Sequence, residues 1–193
     1  MITEQQFKDA AKTTGIEIAA IKAVSEVEAP RGGFDAQGRL TILFEPHIFW
    51  KELRKRNIDP AKLQKKNPDL LSPVWNSKLY GKFSIQWDKM TRARAINEEA
   101  ALYSASYGAF QIVGFNHKAC GFNAVKRFIA ELEKGEANQL TAFCNYIKTV
   151  MLDDELRNKD WKGFARGYNG PSYWKNQYDT KLKNAYLKYA AQV

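Results

Sequence analysis

The sequence predicts a mainly α-helical single domain with one small β-hairpin or short sheet placed after its second helix. Three features carry that reading. Apolar residues recur at helical spacing over most of the 193 residues, only one run is convincingly strand-like, and no linker composition or internal repeat divides the chain. That length suffices for one well-buried core.

The elements follow in order. Thr3-Glu4-Gln5-Gln6 has the form of a capping box and starts a first helix running to Lys12, which Thr14-Gly15 breaks. Ile16, Ala20, Ile21, Ala23, Val24 and Val27 keep helical spacing in a second helix that reaches Ala29 and stops before Pro30. Glycines and Asp35 between Arg31 and Arg39 predict a loop or tight hairpin, and Leu40-Thr41-Ile42-Leu43-Phe44 is the strand-like run. His47 to Arg56 reads as helix. Asn57 to Tyr80 carries three prolines and scattered polar residues, an irregular excursion of the kind that lines sites. Thr91 to Leu102 predicts a helix, followed by the glycine-marked SYGAFQIVGFN. Cys120 to Glu133 and Ala137 to Asn158 read as amphipathic helices parted at Gly135; Trp161 to Tyr168 reads as another, ended by Asn169-Gly170-Pro171. Tyr173 to Tyr189 repeats aromatics and lysines at helix-like spacing.

A formal charge of +9 and a pI near 9.4 point to a polyanionic partner: nucleic acid, an anionic membrane surface or a bacterial wall. The longest basic run, Lys51 to Lys66, holds seven Lys or Arg against Glu52 and Asp59. No zinc finger, no aromatic RNA-binding motif and no base-reading helix accompanies the charge, so a nucleic-acid partner is not expected. Cys120 and Cys144 lack a second ligand pair and are too few for a disulfide framework; they read as buried thiols in a reducing compartment. The first fifteen residues lack the charged start and apolar core of a secretory signal, and no 18-residue apolar run offers a membrane span.

Two glutamates stand two residues apart in VSEVEAPRGGF, at the end of the second helix. On a helical wheel Glu28 falls about 20° from Ile21 and about 40° from Val24, on the inward face, whereas Glu26 falls about 140° from Ile21 and points to water. A glutamate on an apolar face at a helix C-terminus is disfavoured as an anion twice, by desolvation and by the negative end of the helix dipole. A carboxylic acid kept protonated near neutrality is what general-acid cleavage of a glycosidic bond requires. The bland alternative pairs Glu28 with Arg31 or another base.

Further along lie SASYGAFQI, Ser104 to Ile112, and FARGYNGP, Phe164 to Pro171. Helix-ending Glu, then SYGxxQI, then AxxYNG resembles the lysozyme-like superfamily of soluble lytic transglycosylases and goose-type lysozymes. AVSEVEAPRGGF, LTILFEPHIFW, SYGAFQIVGFNH and FARGYNGPSYW together are similar to the N-acetylmuramidase domain of phage and prophage endolysins, from about Ile16 to Tyr189. The resemblance implies a lysozyme-like fold over 1–193 and hydrolysis of the β-1,4 bond between N-acetylmuramic acid and N-acetylglucosamine in peptidoglycan. It puts the catalytic acid on Glu28. Where the family usually has a small residue such as Ser after that Glu, this chain has Ala29 and Pro30; the proton donor is kept.

For the rest of the site, Gln111 can offer a donor and an acceptor to an acetamido group, with Ser106 or Tyr107 doing likewise. Tyr168 is placed to bond Glu28 or the N-acetyl group, and Asn169 to line the cleft. Glu45, where the strand-like run meets a loop in LFEPH, is the best second carboxylate, with His47 and Asp35 poorer choices; a purely structural role for Glu45 is equally open. Without a second carboxylate the muramic acid 6-hydroxyl would attack, making a lytic transglycosylase with anhydro products. A third alternative is a non-catalytic wall-binding module built on the tail, where Trp161 to Val193 holds eight aromatics, six Lys or Arg and Asp179. The resemblance implies no metal or organic cofactor and a monomer acting on peptidoglycan and its anionic wall or outer-membrane polymers. Synthesis in the host bacterial cytoplasm, followed by release through a holin or a secretion machine, completes the expectation.

Overall fold

The computed structural model describes residues 1–28, 30 and 32–192. It begins with α1, Glu4–Thr14, and α2, Ile18–Glu28. The capping box forms as its sequence predicts, with Thr3 and Gln6 satisfying each other's backbone N–H, and Gly15 closes α1 at φ 71°, a left-handed conformation that suits glycine. Residues 32–41 make the expected tight hairpin. The Asp35 N–H donates to the Arg39 carbonyl at 2.8 Å, Phe34 bridges to Leu40, and the Asp35 carboxylate accepts from two further backbone N–H groups.

The strand-like run yields β1, Ile42–Phe44, followed by α3, Pro46–Lys55, and a short α4, Pro60–Gln64, inside the irregular excursion. The helix expected from Thr91 to Leu102 is two helices, α5, Gln86–Ile96, and α6, Glu98–Tyr103. Asn97 parts them: its backbone is extended and its side chain accepts from the Ala100 N–H at 2.9 Å, starting a new helix. SYGAFQIV folds into β2, Ala105–Tyr107, and β3, Ile112–Val113, joined through a 3-10 turn, Gly108–Phe110. The sheet runs β1-β2-β3, antiparallel throughout, with Leu43 opposite Ser106 and Ser106 opposite Val113. Those three side chains share one face, and alternation sends Tyr107 to the other.

The second half holds α7, Val125–Leu132, α8, Glu136–Thr149, α9, Asp153–Asn158, α10, Trp161–Asn169, and α11, Tyr178–Ala190. Here too one expected helix, Ala137 to Asn158, is two, broken where Met151 takes φ 56° ahead of the acidic first turn of α9. Residues 120–124 precede α7 rather than belonging to it, and the tail is helical only from Tyr178, after a 3-10 turn over Tyr173–Asn176. Cys120 and Cys144 are free and buried, and burial pushes their thiols up to about 12 and about 11.

The core gathers around the completely buried Ile21, Val24, Phe44, Phe49, Phe128, Phe143 and Phe164, with Phe110 stacked on Phe143 at 4.4 Å between ring centres. α11 packs along α2. Two glutamines knit the core to the site. Gln139 accepts from the Ala109 N–H at 2.7 Å and donates to the Leu132 carbonyl at 3.1 Å, and it lies so near Gly33 and Gly108 that a Cβ on either would fall within 2.1 and 2.6 Å of its Oε1. Replacing it in Gln139→Leu leaves the buried Ala109 N–H unpaired and the Leu132 carbonyl with only the long bond from the Gly135 N–H at 3.4 Å. The expected loss in urea unfolding is about 2–4 kcal/mol; less than 1 kcal/mol would mean that neighbouring groups re-pair the two atoms. Gln86 is the second, accepting from the Phe44 N–H at 3.0 Å and donating to the Tyr80 and Lys82 carbonyls.

Candidate active site

Glu28 is the last residue of α2 and Asn169 the last of α10. Packing brings the two helix ends together: the Asn169 amide donates to Glu28 Oε1 at 2.9 Å across 141 residues of chain. Glu28 keeps a little contact with water, but protein crowds it on every other side. Desolvation pushes its carboxyl up to about 7 against the opposing pull of the Asn169 hydrogen bond and the more distant Lys181 charge. Both helix C-termini aim negative dipole ends at the same spot, which acts in the same direction. The carboxyl thus retains its proton near neutrality, with Oε1 engaged by Asn169 and no hydrogen bond to Oε2 among the described residues.

The alternative partner, Arg31, lies outside the described residues, as does Ala29. Glu26 faces away from Glu28 as the helical wheel requires. It does not project into open water, however: its carboxylate accepts from Lys188 and from the Tyr189 hydroxyl, both at 2.6 Å, so it ties α2 to α11.

A cavity of about 620 Å³ opens beside Glu28, and Glu45 stands in its wall too. Glu45 is the N-cap residue of α3; its N–H donates to the Ser104 carbonyl at 2.8 Å, which fixes the strand end that carries it. Its side chain is only 13% exposed, and burial pushes its carboxyl up to about 7 although the Tyr80 hydroxyl donates to Oε2 and opposes the shift. His47 Nδ1 stands 3.3 Å from the same oxygen. Burial, helped by the Lys51 charge, depresses the His47 imidazole, so it is neutral at neutral pH. Among the described residues, each carboxyl therefore has a hydrogen bond to one oxygen and none to the other.

Tyr80 is itself held from α5. Its carbonyl accepts from Gln86 at 2.8 Å and from the fully buried Lys89 ammonium at 3.1 Å, while Lys89 also donates to the Leu79 carbonyl. Among the described residues no carboxylate lies within bonding range of Lys89; three backbone carbonyls, of Asp69, Leu79 and Tyr80, accept from it. The loop bearing Tyr80 is pinned at its end by buried polar bonds, which is why an irregular segment can present a fixed hydroxyl.

The other residues singled out in the sequence divide. Ser106 and Gln111 line the cavity with Glu28 and Glu45, as do Tyr168 and Asn169. Gln111 takes a left-handed backbone at φ 47°, and its Nε2 donates to the Gly108 carbonyl at 2.9 Å, so it offers the cavity an acceptor, Oε1, rather than both groups. Tyr168 does not hydrogen-bond Glu28: its hydroxyl donates to the Phe110 carbonyl at 2.6 Å, and its ring packs on Phe143, Tyr146 and Phe164. It holds the α10 end against the β2–β3 turn, which sets Asn169. Tyr107 does not reach the cavity. Its ring packs edge-on to Phe128 and its hydroxyl donates to the Leu102 carbonyl at 2.9 Å, the outcome of strand alternation at β2. Asp35 belongs to the hairpin, bonded to Arg39.

Several wall residues carry no motif. Trp75, Ser77, Tyr80 and Phe83 come from the irregular excursion and the turn after it, and Asn176 and Tyr178 from the start of the tail. Tyr178 feels both carboxyls: burial first, then the charges of Glu28 and Glu45, push its hydroxyl up to about 12. The Asn169 Oδ1 atom is buried and has no hydrogen-bond partner among the described residues. Among the described residues no helix is long and apolar enough to cross a membrane, and no cluster of three or more His, Cys, Asp or Glu side chains is placed to hold a metal ion.

Comparison with known proteins gives a consistent result. The family model described as Muramidase, N-acetylmuramidase, matches residues 17–190. Among solved structures, the crystal structure of the Burkholderia AP3 phage endolysin superposes with a TM-score of 0.85 at 34% sequence identity, covering 98% of this chain and 72% of that one. No curated protein matches the chain.

Proposed function

Since the chain belongs to the N-acetylmuramidase family and is a glycoside hydrolase acting on peptidoglycan, we propose that Glu28 is the general acid that protonates the glycosidic oxygen between N-acetylmuramic acid and N-acetylglucosamine. The observation that carries this reading is the pair of buried carboxyls, Glu28 and Glu45, both pushed up to about 7 in the wall of one cavity. Two carboxyls facing one bond are what hydrolysis with an acid and a base or nucleophile needs. The reading takes 1–193 as a single catalytic domain acting as a monomer.

The steps follow from the side chains. Glu28 Oε2 gives its proton to the leaving oxygen while the Asn169 amide, already on Oε1, stabilises the carboxylate that remains. Glu45, ionised, uses Oε1 either to accept a proton from the attacking water or to meet the oxocarbenium carbon directly, with the Tyr80 hydroxyl holding Oε2. Gln111 Oε1 is an acceptor for N–H and O–H groups of the sugars, and Ser106 on the sheet face lines the same cavity. A bound glycan strand displaces water from Glu28 and keeps it protonated. The +9 charge suits the negatively charged polymers of a bacterial wall or outer membrane. A cytoplasmic product of this kind reaches that wall through a holin or a secretion machine.

Mass spectrometry of digested peptidoglycan tests the reaction. Reducing muramic acid ends are expected. Anhydromuramic ends would replace Glu45 by the substrate's 6-hydroxyl as the attacking group, and reducing glucosamine ends would refute the bond assignment.

Tyr80→Phe probes the Glu45 side of the pair. The Tyr80 hydroxyl favours the Glu45 anion, so its removal raises that carboxyl further and moves the rising, acid-side limb of the rate profile to higher pH by about one unit, the scale of a hydrogen bond to a charged group. The basic-side limb, set by Glu28 losing its proton, stays in place. A profile that does not move would remove Glu45 from the chemistry.

A further inference from the structure

A second cavity, of about 600 Å³, lies against the hairpin at residues 34–42 and the start of α5, and Phe83 stands in the walls of both this cavity and the catalytic one. Resting on the assignment of Glu28 and its cavity to the scissile bond, we infer that this second cavity receives the peptide stem carried by muramic acid, so that the enzyme favours peptide-bearing glycan over bare glycan.

Position comes first. The stem leaves muramic acid through the lactyl ether on O3, and the bond to be cut leaves C1 of the same ring. The stem therefore departs within one sugar's width of Glu28, and a cavity that shares a wall with the catalytic one is within its reach. The volume falls in the usual range for sites that enclose small ligands, about 300–1,000 Å³.

The lining separates a peptide from a sugar. Phe34, Leu40, Ile42 and Trp87 make the walls apolar, which suits the methyl groups of an alanine-containing peptide. A pyranose would instead want an open aromatic face and free donors, and Trp87 supplies neither. Its indole N–H already donates to the Leu40 carbonyl at 3.0 Å, and the Arg39 guanidinium lies 5.6 Å over its ring. Arg39 gives Nε and Nη2 to Asp35, which leaves Nη1 for a ligand carboxylate at the mouth of the cavity. Stem peptides carry free carboxylates and often an amine, and the Arg39–Asp35 pair presents both complementary charges.

The test compares kcat/KM on soluble glycan chains with intact stems and on the same chains stripped by an amidase. The wild-type enzyme is expected to favour the stem-bearing chains about tenfold, the worth of one well-made charged contact. Arg39→Ala, and separately Ala36→Trp, which adds bulk at the exposed edge of the cavity, should each bring the stem-bearing rate down to the stripped rate and leave the stripped rate unchanged. Equal wild-type rates on the two substrates overturn the inference. Equal losses on both substrates in Ala36→Trp overturn it too, because they assign the cavity to the glycan. Either result leaves the Glu28 assignment intact, which fails only if Glu28→Gln cleaves the stripped chains as fast as wild type.

Discussion

Glu28→Gln is expected to lower the rate of peptidoglycan cleavage by about 10²–10⁴-fold, the range general-acid catalysis supplies, while the protein stays folded. Glutamine keeps the shape and still accepts the Asn169 amide hydrogen through its Oε1, so only the transferable proton is lost. Clearing of outer-membrane-permeabilised Gram-negative cells measures it; lysis equal to wild type would end the assignment. Stability should move the other way. The Glu28 carboxyl sits at about 7 in the folded protein against an ordinary 4.5. Between those values the folded chain holds a proton that the unfolded chain releases, so wild-type stability falls as pH rises through that window. Glutamine has no such dependence. The variant should therefore be more stable than wild type at pH 8 by as much as about 3 kcal/mol, with no such gain at pH 4. Thermal unfolding at the two pH values reads this directly, and a variant less stable than wild type at pH 8 would contradict the buried, neutral acid. An enzyme that holds a costly carboxyl where its reaction needs it trades stability for activity.

Glu45→Gln is the second large effect, a loss of about 10²–10³-fold with the products of any residual cleavage unchanged. Glutamine retains an oxygen for the Tyr80 hydroxyl but can neither take a proton from water nor form an ester with the sugar. The anomeric configuration of the wild-type product, followed by NMR before mutarotation, separates those two roles. If Glu45 is the base, a single displacement by water inverts the muramic acid C1 to the α-anomer. If it is the nucleophile, the glycosyl ester it forms is hydrolysed in a second displacement and the β-anomer is retained. A Glu45→Gln enzyme as active as wild type would instead make Glu45 a structural anchor for α3 and leave Glu28 to act alone.

The helical path of most of the chain, the hairpin, the short sheet and the inward placement of Glu28 were legible from local patterns. Period and capping depend on residues a few positions apart, and those are visible in any window. The breaks at Asn97 and Met151 were missed because apolar spacing continues across them; a single extended or left-handed residue ends a helix without disturbing the pattern around it. Motif spacing located SYGAFQI and YNG but not the duty of each side chain. Alternation along β2 turns Ser106 to the cavity and Tyr107 to the core, and a hydroxyl that looked ready for the substrate, that of Tyr168, is spent on the Phe110 carbonyl.

By itself, then, the sequence determined which glutamate turns inward, that its helix ends there, and which family the chain resembles. Only the tertiary structure decided what meets it. Asn169 reaches Glu28 from 141 residues away, and Tyr80 reaches Glu45 from 35, out of a segment with no period to read. Burial that lifts both carboxyls to about 7 is the sum of neighbours drawn from several elements, and no local window of sequence contains it.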